Sequence, residues 1–66
     1  MKLVPFTVDA RPYHGYQTIY INPEEVSSVY DSNSTDNPTI IALKNGTCCN
    51  VKGSVVEAVD KLQGIP

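Results

Sequence analysis

The sequence predicts a small α+β domain: a mainly antiparallel sheet of four or five strands, made of two hairpins, with one C-terminal helix packed on one face. Three observations carry this. Asn45-Gly46 separates two β-rich runs, the strongest short-range hairpin signal. Ser54-Val-Val-Glu57 has capping-box spacing ahead of an apolar stripe. The chain has 66 residues and 7.2 kDa, five of them Pro and four Gly, so residues 1–66 are read as a single small domain.

Taken in order, Leu3 to Val8 places Val4, Phe6 and Val8 on one side with a period of two, as a half-buried strand requires. Tyr16 to Ile21 is β-branched and aromatic, with Ile19 and Ile21 opposite Tyr16, Thr18 and Tyr20. Asp9-Ala-Arg-Pro-Tyr-His-Gly15 between them is too polar to continue either strand and reads as the loop of a long-looped hairpin.

Asn22-Pro23-Glu24-Glu25 starts like a helix, with an Asn cap, Pro at the first helical position and acids in the first turn. Ser27, Ser28, Val29 and Tyr30 are weak helix formers, so one turn passing into a strand near Ser27 to Asp31 is expected, with a two-turn helix as the alternative. Asp31 to Pro38 is a purely polar loop.

Thr39 to Lys44 and Thr47 to Val51 flank Asn45-Gly46, which suits a two-residue type I′ turn. That turn sets Leu43 opposite Cys48, Ala42 opposite Cys49, Ile41 opposite Asn50 and Ile40 opposite Val51. Both faces of the hairpin then carry aliphatic side chains. The helix follows over Val55 to Gln63, with Val55, Ala58, Val59 and Leu62 as its stripe, Glu57 and Lys61 as an i,i+4 pair, and Gly64 as C-cap. One helix covers one face only, which predicts either self-association, a dimer being favoured, or a sheet that curls on itself.

Charge narrows the function classes. Five basic residues against seven acidic ones give −2 and a pI near 5.0, which argues against nucleic acid as a partner. No apolar run approaches the ~20 residues of a membrane span, and no charged region followed by an apolar block opens the chain, so a cytoplasmic protein without membrane insertion is expected.

The candidate chemistry is sparse. Cys48 and Cys49 are strand neighbours whose sulfurs diverge, and no second Cys or His pair completes a tetrahedral site, so buried or half-buried reduced thiols and no metal are expected. His14 is the lone histidine and shows no sequence-linked nucleophile or orienting acid. Each carboxylate singled out has a turn or cap role, and no phosphate loop or nucleophile elbow is present. No catalytic residue and no cofactor are therefore assigned, and an enzyme is not expected. Arg11, Tyr13, His14 and Tyr16 form a candidate contact patch, because aromatic residues and Arg are the usual interface anchors.

The order Ile19-Tyr-Ile-Asn-Pro-Glu-Glu-Val26, Val29, Thr39-Ile-Ile-Ala-Leu-Lys-Asn-Gly46, Val51 and Ser54-Val-Val-Glu-Ala-Val59 resembles the FlbD/SwrD family of small flagellar accessory proteins over about residues 19–62. The Met1 to Tyr16 segment and the Ser32 to Asn37 loop are longer than that family's. The resemblance implies an accessory protein acting by contact, with no catalytic residues to carry over, and the same build recurs in short proteins of phages and other mobile elements. The favoured expectation is a non-catalytic, self-associating protein that presents the Arg11 to Tyr16 and Ser32 to Asn37 loops to a larger protein partner. The alternative is a phage- or mobile-element-encoded small-ligand binder or inhibitor, with a subunit-interface pocket lined by Tyr16, Tyr20 or Tyr30 and Arg11 as anion partner.

Overall fold

A computed structural model describes residues 2–64. The elements run β1 (Val4–Asp9), β2 (Tyr16–Ile21), a single 3-10 turn (Pro23–Glu25), β3 (Val26–Asp31), β4 (Thr39–Leu43), β5 (Cys48–Val51) and α1 (Val55–Gln63). The fold is α+β, as the sequence predicts, but the five strands divide into two antiparallel sheets, β1-β2 and β3-β4-β5.

The local rules operate as the sequence implies. Asn22 Oδ1 accepts from the Glu24 N–H at 3.0 Å, and the turn it caps stops after three residues, where the chain extends at Val26 (φ −82°). A one-turn start passing into a strand is thus what forms, and β3 includes a bulge between Val26 and Ser28. At α1 the Ser54 hydroxyl accepts from the Glu57 N–H at 3.1 Å while Glu57 Oε1 accepts from the Ser54 N–H at 3.3 Å. Gly64 closes the helix at φ +77°, a conformation that costs a residue with a Cβ.

Two expectations are corrected. The β4-β5 hairpin is offset by one residue from the predicted register: Thr39 faces Val51, Ile40 faces Asn50, Ile41 faces Cys49 and Ala42 faces Cys48. A type I′ turn needs positive φ at both Asn45 and Gly46, and only Gly46 has it, at +92°. Asn45 is held otherwise, because its Oδ1 accepts from both the Thr47 N–H (3.0 Å) and the Thr47 hydroxyl (2.7 Å). The loop therefore takes three residues and closes where the Leu43 N–H donates to the Thr47 carbonyl at 2.8 Å. The new register sorts the side chains: Thr39, Ile41, Leu43, Cys49 and Val51 line the core face, and Ile40, Ala42, Cys48 and Asn50 lie on the other.

The second correction concerns Glu57 and Lys61, which do not pair. Glu57 serves the cap at Ser54, while the Lys61 ammonium lies 4.6 Å from the Phe6 ring centroid and donates to the Pro5 carbonyl.

The core sits between the two sheets and α1, where Val4, Phe6, Ile21, Ile41, Val51 and Ala58 are buried. Thr39 is fully buried with them, and its hydroxyl donates to the Gly53 carbonyl at 2.8 Å. α1 lies on β3 and β4, and β1 lies beside β5. The sheets thus curl towards one another instead of stacking all apolar surface on one helix.

β1 shows how that seam is closed. The Ala10 N–H donates to the Gly15 carbonyl, so antiparallel alternation turns the backbone of Val4, Phe6 and Val8 towards β2 and that of Pro5, Thr7 and Asp9 away from it. Each outward residue has a backbone group engaged. Pro5 has no N–H and its carbonyl takes Lys61; the Thr7 carbonyl accepts from the Lys52 N–H at 2.8 Å; Asp9 is paired with Asn37.

Candidate interaction surface

The surface starts from a buried carboxylate. Asp9, the last residue of β1, is 8% exposed, and its Oδ1 accepts from both the Arg11 N–H (3.1 Å) and Arg11 Nε (2.8 Å). Its Oδ2 takes Arg11 Nη2 at 2.5 Å and has Lys52 Nζ at 4.0 Å. This is a bidentate guanidinium–carboxylate pair made within a two-residue step of the chain. The hydrogen bonds from Arg11 outweigh the opposing effect of burial and lower the Asp9 carboxyl to about 2, while Asp9 holds the Arg11 guanidinium still further above its ordinary value.

The pair fixes Arg11 over the ring of Tyr16, the residue directly opposite Asp9 in the hairpin register. The guanidinium carbon is 4.8 Å from the ring centroid and Lys52 Nζ is 5.5 Å from it. The intervening loop closes on itself, with the Ala10 N–H bonded to the Gly15 carbonyl at 2.7 Å and the His14 N–H to the Ala10 carbonyl at 3.0 Å. The Arg11–Pro12 peptide is cis. Tyr13 and His14 lie at the exposed tip, Tyr13 at 88%.

A second loop is joined to the first. Asn37 Oδ1 accepts from the Asp9 N–H at 2.8 Å and its Nδ2 donates to the Asp9 carbonyl at 3.0 Å. Asn37 is itself held by its own loop: the Ser32 hydroxyl donates to the Asn37 carbonyl at 2.7 Å, and the Asn37 N–H donates to the Ser34 hydroxyl at 3.2 Å. The Ala10–Gly15 and Ser32–Pro38 loops therefore form one continuous, cross-tied surface.

Of the six residues the sequence singled out, the structure gathers Arg11, Tyr13, His14 and Tyr16 at this surface. Tyr20 continues it along the same face of β2, two positions beyond Thr18, and is exposed. Tyr30 lies on the other sheet, paired with Ile40 on the face turned from the core. The residues that organise the surface, Asp9, Asn37 and Lys52, were not among the six. Asp9 had a signal in the sequence, an acid two residues before an Arg-Pro turn; Asn37 and Lys52 had none, because their roles depend on contacts across the fold.

A groove of about 310 Å³ opens between β1 and the start of α1, lined by Phe6, Lys52, Gly53, Glu57 and Lys61. None of the tyrosines reaches it. Among the described residues, no three His, Cys, Asp or Glu side chains converge as a metal site would require. Cys49 is half-buried against the core, whereas Cys48 is exposed, contrary to the expectation that both are at least half-buried. No helix among the described residues is long and apolar enough to cross a membrane.

No family model matches the chain, and no curated protein or solved structure matches it either. The functional reading therefore rests on the surface itself.

Proposed function

We propose that this chain is a non-catalytic accessory protein of the cytoplasm that self-associates and acts by binding a larger protein partner through the joined Ala10–Gly15 and Ser32–Pro38 loops. The observation that carries this reading is the two-point pairing of Asn37 with the backbone of Asp9, which makes one preset surface of two loops far apart in the chain. A surface ordered in advance loses less conformational entropy on binding. Tyr13, Tyr16 and Arg11 supply anchors of the type that dominate protein interfaces. The likeness to small flagellar accessory proteins supports the same class of action, and an exposed free thiol at Cys48 suits a reducing compartment.

Small-ligand capture by Arg11 and the tyrosines draws less support. Both oxygens of Asp9 already hold the Arg11 guanidinium, and the groove between β1 and α1 is elsewhere.

The test is affinity capture from the native host with the wild-type chain and with the Tyr13→Ala/His14→Ala variant, each partner being identified by mass spectrometry and its affinity remeasured with purified components. Both side chains are exposed, so the variant should fold normally. A defined protein partner bound by the wild type and weakened by the variant supports the proposal; a tightly retained small molecule with no protein partner defeats it.

A further inference from the structure

The chain has five asparagines, and the residue after each decides whether its side chain can cyclise. Deamidation begins when the backbone nitrogen of the next residue attacks the side-chain carbonyl carbon, so that nitrogen must carry a hydrogen it can lose and must be reachable. Asn22, the cap of the 3-10 turn, and Asn37, the tie to Asp9, precede Pro23 and Pro38, whose nitrogens have no hydrogen to give. Asn50 precedes Val51, which is fully buried in the β4-β5 ladder, and Asn33 precedes Ser34, whose side chain crowds its nitrogen. Asn45 alone precedes glycine. Both residues are exposed, and among the described residues nothing lies within 4 Å of where a Gly46 side chain would begin, so water and base reach the turn.

We propose that Asn45 is the deamidation site of this chain and that the closed hairpin holds the reaction back, so that it advances when the turn opens. The Gly46 nitrogen bonds to Asn45 Cγ as the Cγ–Nδ2 bond breaks, and the Gly46 proton leaves with the departing nitrogen as ammonia. Water then adds to either carbonyl of the succinimide, giving aspartate or isoaspartate. Two features of the closed turn oppose the first step. The Gly46 N–H donates to the Leu43 carbonyl at 3.1 Å, and an imide nitrogen has no hydrogen with which to keep that bond. The Thr47 N–H and hydroxyl donate to Asn45 Oδ1 at 3.0 and 2.7 Å, which restrains the rotation that would present Cγ to the Gly46 nitrogen. The products differ in their effect. Aspartate keeps an acceptor for Thr47 and adds a negative charge at an exposed turn, so the hairpin survives. Isoaspartate lengthens the main chain by a methylene and disrupts the three-residue loop. The turn lies at the opposite end of β4 from the Ser32–Pro38 loop, so the modification marks the fold without entering the partner surface.

The test follows the replacement of ammonia by water with peptide-mapping mass spectrometry on the full chain at mildly alkaline pH. One sample is native, one is unfolded in guanidinium chloride at the same pH, and hydrogen exchange of the Gly46 amide is measured on the native sample. Asn45 should be modified first in both. The native reaction should be slower by about tenfold or more, and that retardation should match the exchange protection of the Gly46 amide, because both need the bond to Leu43 open. Thr47→Val keeps the N–H and removes the hydroxyl, so the native reaction should speed up several-fold while the unfolded rate stays the same. Thr47→Ser restores the hydroxyl and should return the native rate to that of the wild type. Circular dichroism checks that each variant folds, and the wild-type comparison decides the proposal even where one does not. Modification first at another asparagine, equal native and unfolded rates, or a folded Thr47→Val variant that is no faster than the wild type overturns the inference.

Discussion

The carboxamide of Asn37 satisfies both backbone polar groups of Asp9, accepting from its N–H at 2.8 Å and donating to its carbonyl at 3.0 Å, across 28 residues of chain. A side chain takes the place of a strand. Asn37→Ala should leave both groups unmatched in a partly buried setting and lower stability by about 1–3 kcal/mol. Hydrogen exchange should locate the loss, with the Asp9 amide exchanging much faster in the variant while the Ile41 amide is little changed. Equal acceleration at both would show that the tie is not local.

The Asp9 carboxyl, lowered to about 2 chiefly by its hydrogen bonds with Arg11, makes stability depend on acid. The unfolded chain protonates the same group near its ordinary 3.8, so the stabilisation is complete above that pH and is lost as pH falls from about 4 to about 2. Melting temperature should decline through that window, and Asp9→Asn should flatten this part of the profile. A variant with the same acid dependence as the wild type would assign the effect to other carboxylates.

Gly46 has φ +92° with nothing within 4 Å of where a Cβ would stand, so Gly46→Val should cost conformational energy without a clash. Chemical denaturation should report a loss of about 1–2 kcal/mol, the usual cost of one residue held in that region. A neutral substitution would mean that the hairpin closes without positive φ at position 46.

The two cysteines should react at different rates. Cys48 is exposed and Cys49 packs half-buried against the core, so a thiol reagent should label the folded protein once, quickly, at Cys48. Labelling of Cys49 should wait for opening of the structure. Cys48→Ala should be near neutral, and Cys49→Ala should carry most of the stability loss of the double variant.

These results divide what the sequence reveals by distance along the chain. The Asn22 cap, the capping box of Ser54 and Glu57 and the αL glycine at 64 each involve residues within a few positions, and all formed as read. The hairpin register failed by one residue, because Asn45-Gly46 fits two loop lengths and the choice between them was made by hydrogen bonds from Thr47 to Asn45. At the surface, the aromatic and arginine members were legible as types. Lys61 bonding Pro5 instead of Glu57, and Asn37 bonding Asp9, depend on which distant strand lies alongside, and no spacing rule encodes that.

The cover on the outer side of β1 has a kinetic consequence. Asn37 is 28 residues from Asp9 and Lys61 is 56 from Pro5, so neither can arrive until long stretches of chain have closed. The first hairpin, by contrast, needs only its own loop and forms on the timescale of microseconds. A refolding molecule whose β1 pairs with β2 before those ties close has the β1 backbone bare on one side. Molecules caught together in that state have an additional place to join, and the yield of native protein should fall as the concentration in the refolding mixture rises.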